Sequence, residues 1–266
     1  MPQKGFKRYI KLWQNLSNPA EYIFNKSKRR QKALHFTSRP NRINFTVPES
    51  LYQVFKEIFM EDVYSINELV NKMPDNPVVL DIGANAGFFN VLLLSKIKQA
   101  RIFAYEPLDA NISFFENIIK ENPFMAKSVS LNRAAVTGLE KDSIELFMED
   151  TADSQVVASV FANFNKDNLK KTTVPCISLT KIVKDNKLEK IDLLKMDCEG
   201  SEYDIIYNTP KNIVQLAKHI AIEVHDVDDN TFNFTSLKKY LEELNYAVKF
   251  TPINNFCYAV DATKNN

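Results

Sequence analysis

Hydrophobic positions divide the chain into two stretches with different rhythms. In the first, Phe6, Ile10, Trp13 and Leu16 recur at helical spacing, while Lys4, Lys7, Arg8 and Lys11 fall mostly elsewhere around the wheel, so a short basic amphipathic helix is expected. Residues 49–72 also read as helices, with Leu51, Val54, Phe55, Ile58 and Phe59 on one face. From residue 77 onward, short apolar runs alternate with helical ones. Strands are expected at 77–82, 101–105, 128–132, 191–196 and 219–224, and helices near 88–98, 109–121, 202–208 and 235–244. The chain closes with Tyr246–Phe250, a turn at Asn254-Asn255, and Phe256–Val260, an antiparallel pair.

That alternation predicts an α/β, Rossmann-like domain over residues 77–261: a seven-stranded, mostly parallel sheet with helices on both faces and an antiparallel edge strand. Residues 138–180 interrupt it between the third and fourth strands, with β-like pieces at Ile144–Met148 and Val174–Leu179. Residues 1–76 form a basic, helical N-terminal extension.

Composition narrows the function classes. Hydrophobic residues make up 45% of 266, an ordinary globular share. Cys176, Cys198 and Cys257 form neither a disulfide framework nor a C-x-x-C metal pair. No apolar run is long enough for a membrane span and no signal-peptide pattern opens the chain, so a cytoplasmic location is expected. The net charge of +1 hides a division, because residues 1–48 carry eleven Lys or Arg and one acid, Glu21, while the remainder is acidic. A second basic cluster, Lys28, Arg29, Arg30 and Lys32, follows the amphipathic helix. Three readings stand for this basic segment: a helix packed on the main domain beside a solvated charge run, a peripheral contact of residues 1–32 with the inner membrane surface, or attraction to an anionic substrate or nucleic acid.

The chemistry begins at Val78-Val79-Leu80-Asp81-Ile82-Gly83-Ala84-Asn85-Ala86-Gly87-Phe88-Phe89, a strand running through a glycine turn into a helix. Glycine lets backbone approach a ligand closely, and such corners bind nucleotides. A dinucleotide loop needs G-x-G-x-x-G to seat a pyrophosphate; here the spacing is Gly83-x-x-x-Gly87, with Asp81 just before it. A carboxylate suits a cationic ligand without phosphate, which points to S-adenosylmethionine (SAM). Glu106, before Pro107 at the end of the next strand, is placed to accept hydrogen bonds from ribose hydroxyls. Ala84, Asn85, Phe88, Ala134 and Asp197 complete the expected cofactor contacts.

These segments, together with Glu116-Asn117-Ile118-Ile119-Lys120-Glu121-Asn122-Pro123, Leu131-Asn132-Arg133-Ala134-Ala135-Val136-Thr137-Gly138 and Ile220-Ala221-Ile222-Glu223-Val224-His225-Asp226, resemble the FkbM family of SAM-dependent methyltransferases. Lys195-Met196-Asp197-Cys198-Glu199-Gly200-Ser201-Glu202 is the most specific match, close to the family's K-x-D-x-E-G-x-E. The resemblance covers roughly residues 77–260. It implies methyl transfer to a hydroxyl of a sugar, glycan or related natural product. One departure is Ser178-Leu179-Thr180, where the family usually has Leu-Asp.

The fourth and fifth strands end in Asp197-Cys198-Glu199 and Glu223-Val224-His225-Asp226, acid-rich ends that should face the methyl donor. His225 is the candidate general base, with Asp197 and Glu199 as rivals. Glu199 and Glu223 are candidate substrate contacts. Cys198 should point inward between the two acids. Asp197, Glu199, Glu223, His225 and Asp226 offer donors suited to a divalent ion, but no metal is expected. Ser154, Tyr64 and Phe161 are further candidates for the acceptor pocket.

Two other functions share parts of the pattern. A NAD(P)-dependent oxidoreductase would use one of two Tyr-x-x-x-Lys pairs, Tyr52 with Lys56 or Tyr207 with Lys211. The first pair precedes the glycine loop and the second contains Pro210. A nucleic-acid methyltransferase would need a surface that tolerates phosphates, and the acidic strand ends argue against a nucleic-acid partner.

Overall fold

The structure, a computed structural model, describes residues 5–28, 33–148, 158–159 and 170–265. Ser154, Phe161 and three of the second basic cluster, Arg29, Arg30 and Lys32, lie outside the described residues. The N-terminal part holds α1 (Lys7–Asn15), α2 (Ala20–Lys28), the hairpin β1 (Leu34–Thr37) and β2 (Asn44–Val47), then α3 (Tyr52–Lys56), a π-helical turn Glu57–Glu61 and α4 (Ile66–Leu69). The hairpin was not expected from the sequence.

Next come β3 (Val78–Ile82), α5 (Phe88–Lys96), β4 (Arg101–Tyr105), α6 (Asp109–Glu121) and β5 (Val129–Asn132). The interruption contributes β6 (Ala135–Thr137), β7 (Ser143–Met148), β8 (Ala158–Ser159) and β9 (Lys170–Ser178), which pair in the order β6-β9-β7-β8 as a second sheet. The chain then returns through α7 (Leu179–Asp185), β10 (Ile191–Met196), α8 (Ser201–Asn208), α9 (Lys211–Val214), β11 (Ala217–His225), α10 (Phe234–Glu243), β12 (Tyr246–Pro252) and β13 (Cys257–Lys264). At the departure noted above, Ser178 caps α7: its hydroxyl accepts from the Lys181 amide at 3.1 Å.

The main sheet has seven strands in the order β12-β13-β11-β10-β3-β4-β5. Its antiparallel member is β13, which lies one place in from the edge, between β11 and β12. β3 and β10 run parallel side by side, and the chain builds outward from them in both directions, so a crevice opens beyond their C-terminal ends.

Strand pleating sends alternate residues to opposite faces. Val79, Ile102, Ala104 and Leu193 enter one core, and Leu80, Phe103, Tyr105 and Leu194 enter the other. The first core also takes in the N-terminal part. Phe36 stacks on Phe55 at 4.7 Å, Phe55 on Phe59 at 5.3 Å and Phe59 on Phe45 at 4.9 Å, and Phe45 and Phe59 both meet Phe88 of α5. The described residues of this N-terminal part are therefore built into the domain.

The amphipathic stripe expected on α1 divides. Leu12, Leu16 and Asn15 are buried, and the Asn15 amide donates to the Phe59 carbonyl at 2.9 Å. Phe6, Ile10 and Trp13 remain exposed. The helix is anchored by the face that meets the Glu57–Glu61 turn rather than by the stripe with the cleanest apolar period.

Candidate active site

A cleft opens at the switch between β3 and β10 and encloses ≈ 1250 Å³ counted out to its mouth. The wall includes Gly83, Ala84, Asn85, Phe88, Glu106, Pro107, Ala134, Asp197, Glu199 and Glu223 of the expected residues. Gln53, Val54, Glu57, Ile58, Val63 and Tyr64 of the N-terminal part close its other side.

The glycine loop is shaped by its neighbours. Gly83 has φ of 75°, and a Cβ there would lie 1.8 Å from the Asp197 carbonyl oxygen, so only glycine lets the loops after β3 and β10 meet. The Gly83 and Ala84 amides donate to the Tyr105 carbonyl at 3.0 and 2.9 Å. Asn85 donates to Glu106 Oε2 at 2.9 Å, Ala86 to the Asn85 side chain at 2.7 Å and Gly87 to the Ala84 carbonyl at 3.0 Å. Five successive amides are thus committed inside the protein. A pyrophosphate cradle needs such amides turned toward the ligand, which argues against a dinucleotide. Gly87 itself stands off the wall, packed so closely on Phe115 that a Cβ would lie 2.3 Å from the ring.

Asp81 departs from the sequence expectation. It is fully buried, bound by Asn90 Nδ2 at 2.6 Å and ion-paired with Lys195 Nζ at 3.1 Å, and it does not reach the cleft wall. Parallel register places Asp81 directly beside Lys195, so two buried charges satisfy each other. Lys195 also donates to the Gly83 carbonyl at 2.7 Å, which ties the loop to β10. Burial opposes its charge, but Asp81 and Asp197 outweigh burial and hold its pKa above the usual lysine value.

Glu106 is buried on the wall. Its oxygens accept from Asn85, from the Leu108 amide at 2.9 Å and from Asn111 at 3.3 Å, while burial pushes its pKa up to about 7. Oε1 accepts two of these bonds and Oε2 one, so Oε2 keeps a lone pair for a further donor.

Carboxylates gather at the ends of β10 and β11. Tyr64 Oη donates to Asp197 Oδ2 at 2.6 Å. Glu199 has φ of 50°, an uncommon conformation outside glycine, in a turn held by the buried Glu202, whose oxygens accept from the Cys198 and Gly200 amides at 2.8 Å. Burial, then repulsion from Asp197, raises the pKa of Glu199 and Glu223 well above the carboxylate range, with Glu223 adding to the effect on Glu199 and Glu57 to that on Glu223. Glu57, across the cleft, is pushed by burial up to about 7.

His225 stands behind this wall. Its Nε2 lies 3.7 Å from both Glu199 Oε2 and Glu223 Oε1, and burial lowers its pKa from the usual histidine value. Asp226 is engaged elsewhere, accepting from the Phe234 amide at 2.7 Å. Cys198 packs against the second core, as expected, but also borders the cleft. Register places His225 opposite Cys257, and donor atoms of Glu223, His225 and Cys257 lie within 4.8 Å of one another, a set able to hold a metal ion.

Sequence reasoning missed Glu57 and Lys195. Lysine inside the buried run Ile191–Met196 is itself a signal, since a buried ammonium demands a partner. Glu57 gave no signal beyond helical periodicity.

The model of the methyltransferase FkbM domain matches residues 81–248. The AMB antimetabolite synthetase AmbE of Pseudomonas aeruginosa is 26% identical over 66% of this chain, and the chain spans only 10% of that relative's length. Methyltransferase sdnD of Sordaria araneosa is 25% identical over 64% of this chain and 73% of its own. The crystal structure of methyltransferase FkbM from Methylobacillus flagellatus covers 71% of this chain and 44% of that one, at 15% identity and a TM-score of 0.47. With the family model spanning more than half its length, from the strand that carries Asp81 to the far edge of the sheet, the chain belongs to the FkbM methyltransferase family.

Proposed function

We propose that this methyltransferase uses SAM to methylate a hydroxyl group of a sugar, glycan or related natural product. The observation that carries the reading is the convergence of Asp197, Glu199 and Glu223 on one cleft, with His225 directly behind two of them.

The residues present fit the cofactor. Glu106 Oε2 offers a lone pair suited to a ribose hydroxyl, the loop amides are unavailable to phosphate, and the acidic wall favours a cation. Ala84, Asn85, Phe88, Pro107 and Ala134 would enclose it. When bound, SAM supplies an electrophilic methyl group on a sulfonium.

The chain's own residues then have three tasks. Asp197, fixed by Tyr64, and Glu223 position the acceptor, and positioning alone can lower a barrier by several kcal/mol. Glu199, whose raised pKa favours its protonated form, takes the acceptor's proton on one oxygen as it gives its own to His225, so that the acceptor oxygen, a poor nucleophile when neutral, can form the new bond to carbon. His225, kept neutral by its lowered pKa, takes that proton on Nε2 across 3.7 Å and releases it to solvent.

The test is incubation with methyl-deuterated SAM and a panel of polyhydroxylated glycosides, read by mass spectrometry. The reading expects a deuterated methyl on oxygen, and loss of that product in Asp197→Asn and Glu199→Gln. Label only on nitrogen or carbon acceptors, or wild-type turnover in both variants, overturns it.

A further inference from the structure

Exposed apolar side chains are not scattered over this protein. Five of the nine large ones among the described residues lie on the two short N-terminal helices: Phe6, Ile10 and Trp13 on α1 are 79, 46 and 51% exposed, and Ile23 and Phe24 on α2 are 38 and 65% exposed. At 100° per residue the three on α1 share about 60° of arc. Leu12 and Asn15 occupy the opposite side and hold the helix to the domain. The aromatic face is therefore turned outward by construction, and concentrated apolar patches of this kind mark interaction sites.

Basic groups surround that face. Lys7 is exposed beside it, whereas Lys11 turns toward the anchored side and pairs with the buried Asp62 at 3.3 Å. At the C-terminal end of α1, Arg39 and Lys96 both donate to the Gln14 carbonyl, at 3.4 and 3.5 Å. Burial lowers the Lys96 pKa to about 8, with the Lys11 and Arg39 charges acting in the same direction against Asp62. Residues 1–48 carry eleven bases against one acid. Two copies of such a face would repel each other, whereas an anionic surface is complementary to it.

We propose that the outward face of α1 docks the enzyme on an anionic lipid bilayer, with Phe6, Ile10 and Trp13 entering the headgroup region and Lys7, Arg39 and Lys96 facing lipid phosphates. Tryptophan suits this depth because its ring is apolar on one side and can donate a hydrogen bond on the other. Acyl-boundary contact and charge add, so a single short helix with both is a reversible anchor. Asn15 ties α1 to the Glu57–Glu61 turn, and Glu57 and Ile58 of that turn wall the cleft. One helix then stands between the bilayer and the turn that walls the cleft. The proposal stands apart from the acceptor assignment above and does not depend on it.

Flotation of the full chain with phosphatidylcholine vesicles, with and without phosphatidylglycerol, tests it. The protein is expected to float only with the anionic vesicles, and less so as salt rises. The combined variant Phe6→Ser/Ile10→Ser/Trp13→Ser should lose at least about tenfold in partitioning, and Lys7→Glu should weaken binding by a smaller factor. Both alter exposed positions, and unchanged melting curves will show that they fold. Absence of wild-type binding to anionic vesicles, or equal binding by the combined variant, overturns the proposal. So does light scattering that shows a wild-type dimer dispersed by the combined variant without any vesicle binding, because the face is then a contact between copies.

Discussion

The Tyr64 hydroxyl holds Asp197 Oδ2 at 2.6 Å across 133 positions of sequence. Through this bond the N-terminal part reaches the carboxylate at the end of β10. Burial, reinforced by Asp197 and Glu223, pushes the Tyr64 pKa far above its ordinary value, so the phenol stays a donor at every working pH.

Tyr64→Phe removes the donor and keeps the ring. A hydrogen bond to a charged group contributes about 1.5–3 kcal/mol. Steady-state kinetics should show kcat/KM lower by about ten- to a hundredfold with the melting temperature nearly unchanged. Wild-type kcat/KM would show that Asp197 needs no fixing.

Asp81 and Lys195 form a buried structural pair. Asp81→Asn or Lys195→Met alone should destabilise the fold by about 3–5 kcal/mol in urea unfolding, since each leaves an uncompensated charge. The double variant Asp81→Asn/Lys195→Met should recover most of that loss. Additive losses would contradict the pairing.

The raised pKa values predict a pH dependence. Glu57, Glu106 and Glu202 have values near 7 when folded against 4.5 as the ordinary carboxyl value. Between those limits the folded chain binds more protons than the unfolded chain, so stability falls as pH rises from about 4.5 to about 7. Thermal melts should show this slope, and Glu57→Gln should make it shallower. An unchanged slope in Glu57→Gln would remove that residue from the account.

His225→Asn should lower kcat by about 10²–10⁴-fold, the usual contribution of a proton acceptor, while SAM affinity holds. In the wild type, the acid limb of the kcat profile should fall below the ordinary histidine value because burial lowers the His225 pKa. Retention of that limb in the variant would assign it to another group.

Much of the sheet was legible in the sequence because its strands are short apolar runs bounded by polar turns. β4 and β10 occupy the expected 101–105 and 191–196, and α6 fills the expected 109–121. The hairpin of β1 and β2 was not legible, because four-residue strands give too few alternations to separate from noise. Asp81 was misread for a related reason. Its partner lies 114 positions away on the neighbouring strand, and only register shows that the two charges meet. The cleft wall supplied by Glu57 and Tyr64 was hidden likewise: helical periodicity predicts which face is buried but not which cavity it borders. The strand-end acids were readable because a parallel sheet sends all strand C-termini to one edge.

The cleft fits SAM and not a dinucleotide. Titration calorimetry of the purified chain against SAM and against NADH measures it most directly. The committed loop amides and the acidic wall predict saturable heat with SAM and none with NADH. Saturable binding of NADH with no heat from SAM would contradict the account.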